Sequence, residues 1–172
     1  MSSNGREHQH GCGDRAAPRH LDGSLEVIYT MHVMDEGEYR RFLTEGTRTG
    51  KLATTRSDGR PHVAPVWFDL DDDGTIVLTT GADSVKGKTI RRDPRVCLCV
   101  DDETPPYSFV VIDGIAEISE DPGLLLEWTT RIAGRYMSAE RAEEYGRRNA
   151  VPGELVVRIT PNRVVAQAGV AD

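Results

Sequence analysis

Apolar and polar residues alternate along most of this chain in short runs closed by Gly, Pro, Asp and Ser, the pattern of half-buried strands joined by tight turns. GKLATTR at 50–56 and PHVAPVWFDL at 61–70 flank Ser57-Asp58-Gly59 and predict a hairpin. Asp71-Asp72-Asp73-Gly74 then separates the second run from TIVLTT at 75–80 and predicts another. Further strands are expected at 95–100, at 107–118 with an interruption at Asp113-Gly114, and at 154–167 around Pro161. LEVIYTMHV at 25–33 is one more apolar, β-rich segment.

Elsewhere the period changes from two to that of a helix. Asp35 is placed as an N-cap ahead of Tyr39, Phe42 and Leu43, with Gly46 beyond the last turn. Asp121-Pro122 opens a second helix with Leu124, Leu125, Trp128, Ile132 and Tyr136 as its apolar stripe, and Ser138 is placed as the cap of a third running to Arg148. About six strands with inserted helices and short turns predict a mainly β domain over 25–172, an antiparallel barrel rather than a parallel α/β sheet. Residues 1–24 are nearly empty of apolar side chains and are expected to form a disordered tail.

Two features do not fit a plain barrel. Pro65 stands inside a predicted strand, where a ladder needs an N–H donor, and so implies a bulge, an edge, or a stretch left open for something to pack on. The stretch TTGADSVKGKTIRRDPR at 79–95 places Lys86, Lys88, Arg91, Arg92 and Arg95 together in a chain whose net charge is −7. Strand, turn and basic helix in that order present backbone N–H groups and positive charge to a phosphate, although a basic helix is also an ordinary solvated face.

The acidic balance argues against nonspecific nucleic-acid binding, which leaves a small anionic ligand as the suitable partner. Cys12, Cys97 and Cys99 form no even disulfide framework, and no run approaches the ~20 apolar residues of a membrane span. These features predict a cytoplasmic protein without membrane contact. His8, His10 and Cys12 lack a fourth ligand at a recognisable spacing, so no metal site is assigned.

Taken in order, Leu52-Ala-Thr54, Asp58-Gly-Arg-Pro61, Pro65-Val-Trp-Phe68, Ser84-Val-Lys86 and Arg91-Arg-Asp-Pro-Arg-Val96 resemble the pyridoxamine 5′-phosphate oxidase-like split β-barrel family. Within it they are similar to the F420-dependent class B branch of the flavin/deazaflavin oxidoreductases. The resemblance covers about 34–166. It implies a six-stranded antiparallel split β-barrel of the FMN-binding type, paired as a homodimer with cofactor sites at the subunit interface.

It also implies the site. Lys86 takes the place of the phosphate-binding lysine, with Ser84 two positions before it and Lys88 two after. Pro65, Val66 and Trp67 match the segment along the tricyclic ring, and Thr79 and Thr80 the strand end near the phosphate arm. Thr89-Ile90 stands where Asn-Leu is frequent in the family, and the C-terminal segment lacks the Trp-Arg-rich motif of the vitamin B6 oxidases, so pyridoxamine phosphate oxidation is not expected.

The implied activity is hydride transfer between reduced coenzyme F420 and an electron-poor small organic acceptor. FMN as cofactor in the same fold, or a non-catalytic F420 carrier, are the alternatives. The sequence shows no Ser-His-Asp set or paired carboxylates, and no catalytic side chain is assigned. His62 is a proton-donor candidate on an alternating strand, and Arg135-Tyr136 suit a substrate pocket and helix packing equally.

Overall fold

The computed structural model describes residues 31–171. The tail expected over 1–24, with His8, His10 and Cys12, lies outside the described residues, as does most of the segment at 25–33. Only its end, β1 (His32–Val33), is described, and it pairs antiparallel with the far end of the last strand.

The two expected hairpins are present. Strands β2 (Gly50–Thr55) and β3 (Pro61–Val66) pair antiparallel across the Ser57–Gly59 turn, where Gly59 has φ 83°, a left-handed value that favours glycine. Strand β4 (Asp69–Leu70) pairs with β5 (Ile76–Gly81) across the Asp-rich turn. Strands β6 (Arg95–Asp102), β7 (Ser108–Ser119) and β8 (Glu154–Ala168) complete an antiparallel sheet of order β3-β2-β6-β7-β8-β5-β4.

Here the architecture departs from the six strands expected. The sheet has eight, because β1 pairs with the C-terminal end of β8 outside that order and the run at 61–70 is split in two. Its first half pairs with β2 and its second with β5, at opposite ends of the sheet order. Trp67 and Phe68 carry the chain across that gap and so close the sheet into a barrel. Pro65 sits in β3, an edge strand whose ladder partner is β2 alone, where its missing N–H leaves no inner bond unmade.

The alternation expected from the sequence sends Leu52, Phe68, Ile76, Leu78, Leu98, Val100, Val110, Ile112 and Ile159 into the barrel, all essentially inaccessible to solvent. The break expected at Asp113-Gly114 is a register shift against β8. A side chain at Gly114 would meet Ile159 and the Thr160 carbonyl.

Helix α1 (Glu36–Thr44) starts with a capping box in which Asp35 and Glu38 each accept from the other's backbone N–H at 2.9 and 2.8 Å. Helix α2 (Val85–Arg92) follows the turn after β5. Helix α3 (Pro122–Tyr136) begins at Asp121, which accepts from Leu124 N at 2.7 Å, and Pro122 lies in the first turn. Its buried stripe of Leu125, Trp128, Thr129, Ile132 and Ala133 lies over the outer side of the barrel, where Leu125 and Trp128 form a second small core with Val77 of β5 and Val156 of β8.

Ser138 makes no side-chain cap bond. A 3-10 turn (Ala139–Arg141) intervenes before α4 (Ala142–Asn149). Helix α4 packs on α3 through Gly146, where a Cβ would meet Thr130 Cα at 2.8 Å. No helix among the described residues is long and apolar enough to cross a membrane.

Cys97 and Cys99 are free thiols on β6. Burial, and after it Asp113, pushes the Cys97 thiol up to about 11. At pH 8 about 0.1% of it is then thiolate, so iodoacetamide is expected to spare Cys97 in native protein and label it in urea. Peptide mass spectrometry reads this directly, and rapid labelling of Cys97 in the native state would contradict it.

Candidate functional site

Helix α2 is held against the barrel by a small residue at a close approach. A Cβ on Gly87 would meet the Gly81 carbonyl at 2.5 Å, so only glycine lets the first turn pack onto the loop after β5. Ser84 caps that turn, its Oγ accepting from Gly87 N at 3.0 Å and lying 3.0 Å from Thr80 Oγ1. Thr80 is buried. Thr79, the next residue back along the strand, faces the opposite way, as strand alternation requires.

That alternation decides which predicted residues meet. Pro65, Val66, Trp67, Thr79 and Lys86 line one cavity of about 460 Å3, together with Thr49 from the loop before β2. Thr80 and Ser84 are not in its lining and instead hold α2 in place beside it. Lys88 points to solvent, its Nζ 3.3 Å from the exposed Asp83 carboxylate.

The remaining cations of the stretch are engaged elsewhere. Arg91 pairs with Glu120, Arg92 donates to the Thr55 carbonyl, and Arg95 lies 2.8 Å from Asp93, whose carboxyl it holds down at about 2. Lys86 alone of the five brings its charge to the cavity.

A second charge sits beside Lys86. Glu154, at the start of β8 opposite Gly81, is raised above the usual carboxylate range by burial, while the Lys86 ammonium pulls it down. An anion bound at Lys86 would repel the ionised carboxylate. Anion affinity is therefore expected to fall as pH rises through the Glu154 ionisation, upward from its ordinary 4.5. Glu154→Gln removes that dependence and is expected to tighten binding of a phosphate-bearing ligand such as FMN or F420 at neutral pH about 3- to 10-fold, a repulsion of ~1 kcal/mol in partly solvated surroundings. Titration calorimetry at pH 5 and 8 checks it, and identical affinities for both proteins at both pH values would remove Glu154 from the site.

The aromatic wall is built over long range. Trp67, in the break between β3 and β4, is 42% exposed and stacks on Tyr136 with ring centroids 4.9 Å apart and planes 5° from parallel. The Tyr136 hydroxyl donates to the Arg48 carbonyl at 2.8 Å, next to Thr49, and lies 3.4 Å from Phe68 N. Arg135 donates to the carbonyls of Leu43, Gly46 and Phe68 at 2.6, 3.1 and 2.8 Å, and its guanidinium lies over the Phe68 ring. Of the two readings left open for Arg135-Tyr136, Arg135 is a packing residue, whereas Tyr136 backs the cavity's indole. His62, half-buried on the side of β3 that carries Ala64 and Val66, lies 3.2 Å from Arg56 and does not line the cavity.

Thr49 and Tyr136 belong to this site and no spacing in the sequence singled out Thr49. Among the described residues no group of three or more His, Cys, Asp and Glu is arranged to hold a metal ion. The donor set suits an elongated molecule that is anionic at one end and flat at the other: one ammonium beside the first turn of α2, then a hydroxyl, then proline, valine and an indole face.

Comparison with known proteins agrees with that outline. The family model described as pyridoxamine 5′-phosphate oxidase matches residues 36–168. A conserved hypothetical protein of Mycobacterium tuberculosis superposes with a TM-score of 0.70 at 33% identity, over 80% of this chain and 86% of its own. An F420 reductase superposes with a TM-score of 0.57 at 24% identity, over 72% of this chain and 94% of its own, a likeness of fold.

A curated relative is the 5a,11a-dehydrotetracycline/5a,11a-dehydrooxytetracycline reductase of Streptomyces rimosus, 35% identical over 75 residues. That match takes in 40% of this chain and 53% of the relative, so it spans about half of the reductase's length.

Proposed function

The chain belongs to the pyridoxamine 5′-phosphate oxidase family, and from that membership we propose that it is an oxidoreductase that uses coenzyme F420 to reduce an electron-poor small organic acceptor. The observation that carries the reading is the single cavity in which Lys86 and Trp67 stand at the same wall as Pro65 and Thr79.

Lys86 would hold the phosphate, helped by the N-terminal dipole of α2. Pro65 and Val66 present the end of an edge strand, and Trp67 an indole, to the planar ring. A reduced deazaflavin held there would supply the hydride. What the chain contributes is position and dryness: Tyr136 fixes the indole, the Ser84 cap fixes α2, and the apolar lining excludes water.

FMN has the same phosphate and a similar tricycle, and Lys86 and Trp67 would serve it through the same contacts. Two copies are proposed to pair through the outer face of the sheet, where Val63, Ile115 and Val165 are exposed on β3, β7 and β8. The test of function is turnover. Reduced F420 mixed with enzyme and an activated enone or quinone is expected to regain its oxidised absorbance only with enzyme present. Tight F420 binding with no turnover on any acceptor would leave a carrier and overturn the enzymatic reading.

A further inference from the structure

Beside the main cavity lies a smaller recess of about 150 Å3. Trp67, Thr79, Thr129, Ile132, Ala133 and Asn149 line it. Trp67 and Thr79 are common to both hollows, so the two adjoin at the indole and the threonine. The recess lies between the outer side of β5 and the helices α3 and α4.

Its chemistry is asymmetric. Ile132 and Ala133 are buried and apolar, and Trp67 adds a ring. Thr129 is buried, and its hydroxyl lies 2.8 Å from the Leu125 carbonyl and 3.0 Å from that of Gly146, so its one proton is committed within the helices. Asn149 is exposed at the mouth, and no side-chain hydrogen bond engages its carboxamide among the described residues. The recess therefore offers an apolar slot with one free amide donor at its rim.

We propose that this recess is the acceptor subsite, and that it takes a single six-membered ring bearing a carbonyl. A volume of 150 Å3 holds about one benzene-sized group. The ring lies against Ile132, Ala133 and Trp67, and the carbonyl oxygen accepts from the Asn149 amide. The role of acceptor rests on the proposed function, since only a cofactor in the neighbouring cavity makes this ring a reactant. A fused tetracycle or tetrapyrrole would enter by one terminal ring only.

The binding itself is tested without cofactor, using cyclohexanone and open-chain 2-butanone as probes in saturation-transfer NMR. Wild-type protein is expected to bind cyclohexanone in preference to 2-butanone. Ala133→Leu, which fills the slot, is expected to weaken cyclohexanone about tenfold or more. Asn149→Ala is expected to weaken it about 3- to 10-fold. F420 affinity of both variants should stay within about twofold of wild type, because neither residue lines the cofactor cavity. Should Ala133→Leu fail to fold, Asn149→Ala decides alone.

Cyclohexanone binding unchanged in Asn149→Ala and in a folded Ala133→Leu would overturn the subsite, as would F420 affinity falling in step with it. If the probes behave as expected while F420 binds no form of the protein, the ring site stands and the proposed function falls.

Discussion

Arg135→Met is expected to lower the unfolding free energy by about 3–5 kcal/mol, the range found when one partner of a buried charged cluster is removed. Only a tenth of the Arg135 side chain is exposed, and its guanidinium donates to three carbonyls on two separate segments. Leu43 belongs to the last turn of α1, where carbonyls have no partner within the helix. Phe68 lies at the break between β3 and β4, where the ladder is interrupted.

Methionine fills the stem's volume and leaves all three acceptors unpaired in a partly dry setting. The Asp69 carboxylate, 3.8 Å away, then keeps Arg131 at 3.1 Å and the Leu70 N–H at 2.9 Å but loses the more deeply buried of its two cations. Urea unfolding monitored by circular dichroism measures the loss, with Arg135→Lys as a control that retains the charge without the planar fork and should fall in between. A change below about 0.5 kcal/mol would show that these bonds do not hold the strand break closed.

Lys86→Ala is expected to weaken binding of F420 by about 1.5–3 kcal/mol, or roughly 10- to 150-fold, while leaving the fold intact. A charge-assisted bond to phosphate is worth that much only where water is partly excluded. The half-buried position of Lys86 at the cavity wall meets that condition. Lys88→Ala is the matched control. It deletes the same charge two residues on, from a side chain paired with Asp83 in solvent, and is expected to change affinity less than about threefold. Equal losses in both variants would mean that general charge, rather than a contact at Lys86, attracts the ligand.

The features legible in the sequence are those written within a few residues. Both hairpins are specified by their turns, α1 by Asp35 as its cap, and the bulge by Asp113-Gly114. Pro65 signalled an irregular strand correctly in kind, since it marks an edge. What it did not signal is that the run at 61–70 divides between two partner strands. That division depends on where β5 and β2 end up, which no local pattern states.

The candidate site was legible to the same extent. Lys86 and Trp67 were named, but Thr79 and Thr80 were grouped, although strand alternation sends one to the cavity and the other to the cap under α2. Ser138, an acceptable cap by residue type, is displaced from that role by the 3-10 turn that follows it. The Arg135 bonds join residues 67, 89 and 92 positions apart, and the Tyr136 stack reaches back as far as Trp67. Contacts of that range are fixed by how α3 folds back on the barrel, and they leave no spacing to read. Thr49 and Asn149 sit in loop and helix-end positions whose residue types are common there, and only the assembled cavities single them out.

The central claim is that the cavity of Pro65, Trp67, Thr79 and Lys86 binds F420. Purified protein titrated in parallel with F420 and with FMN, followed by quenching of tryptophan fluorescence, tests it most directly. Saturable quenching by F420 is expected, lost in Lys86→Ala and retained in Lys88→Ala. Tight binding of FMN alone, or quenching by F420 that survives intact in Lys86→Ala, would contradict it.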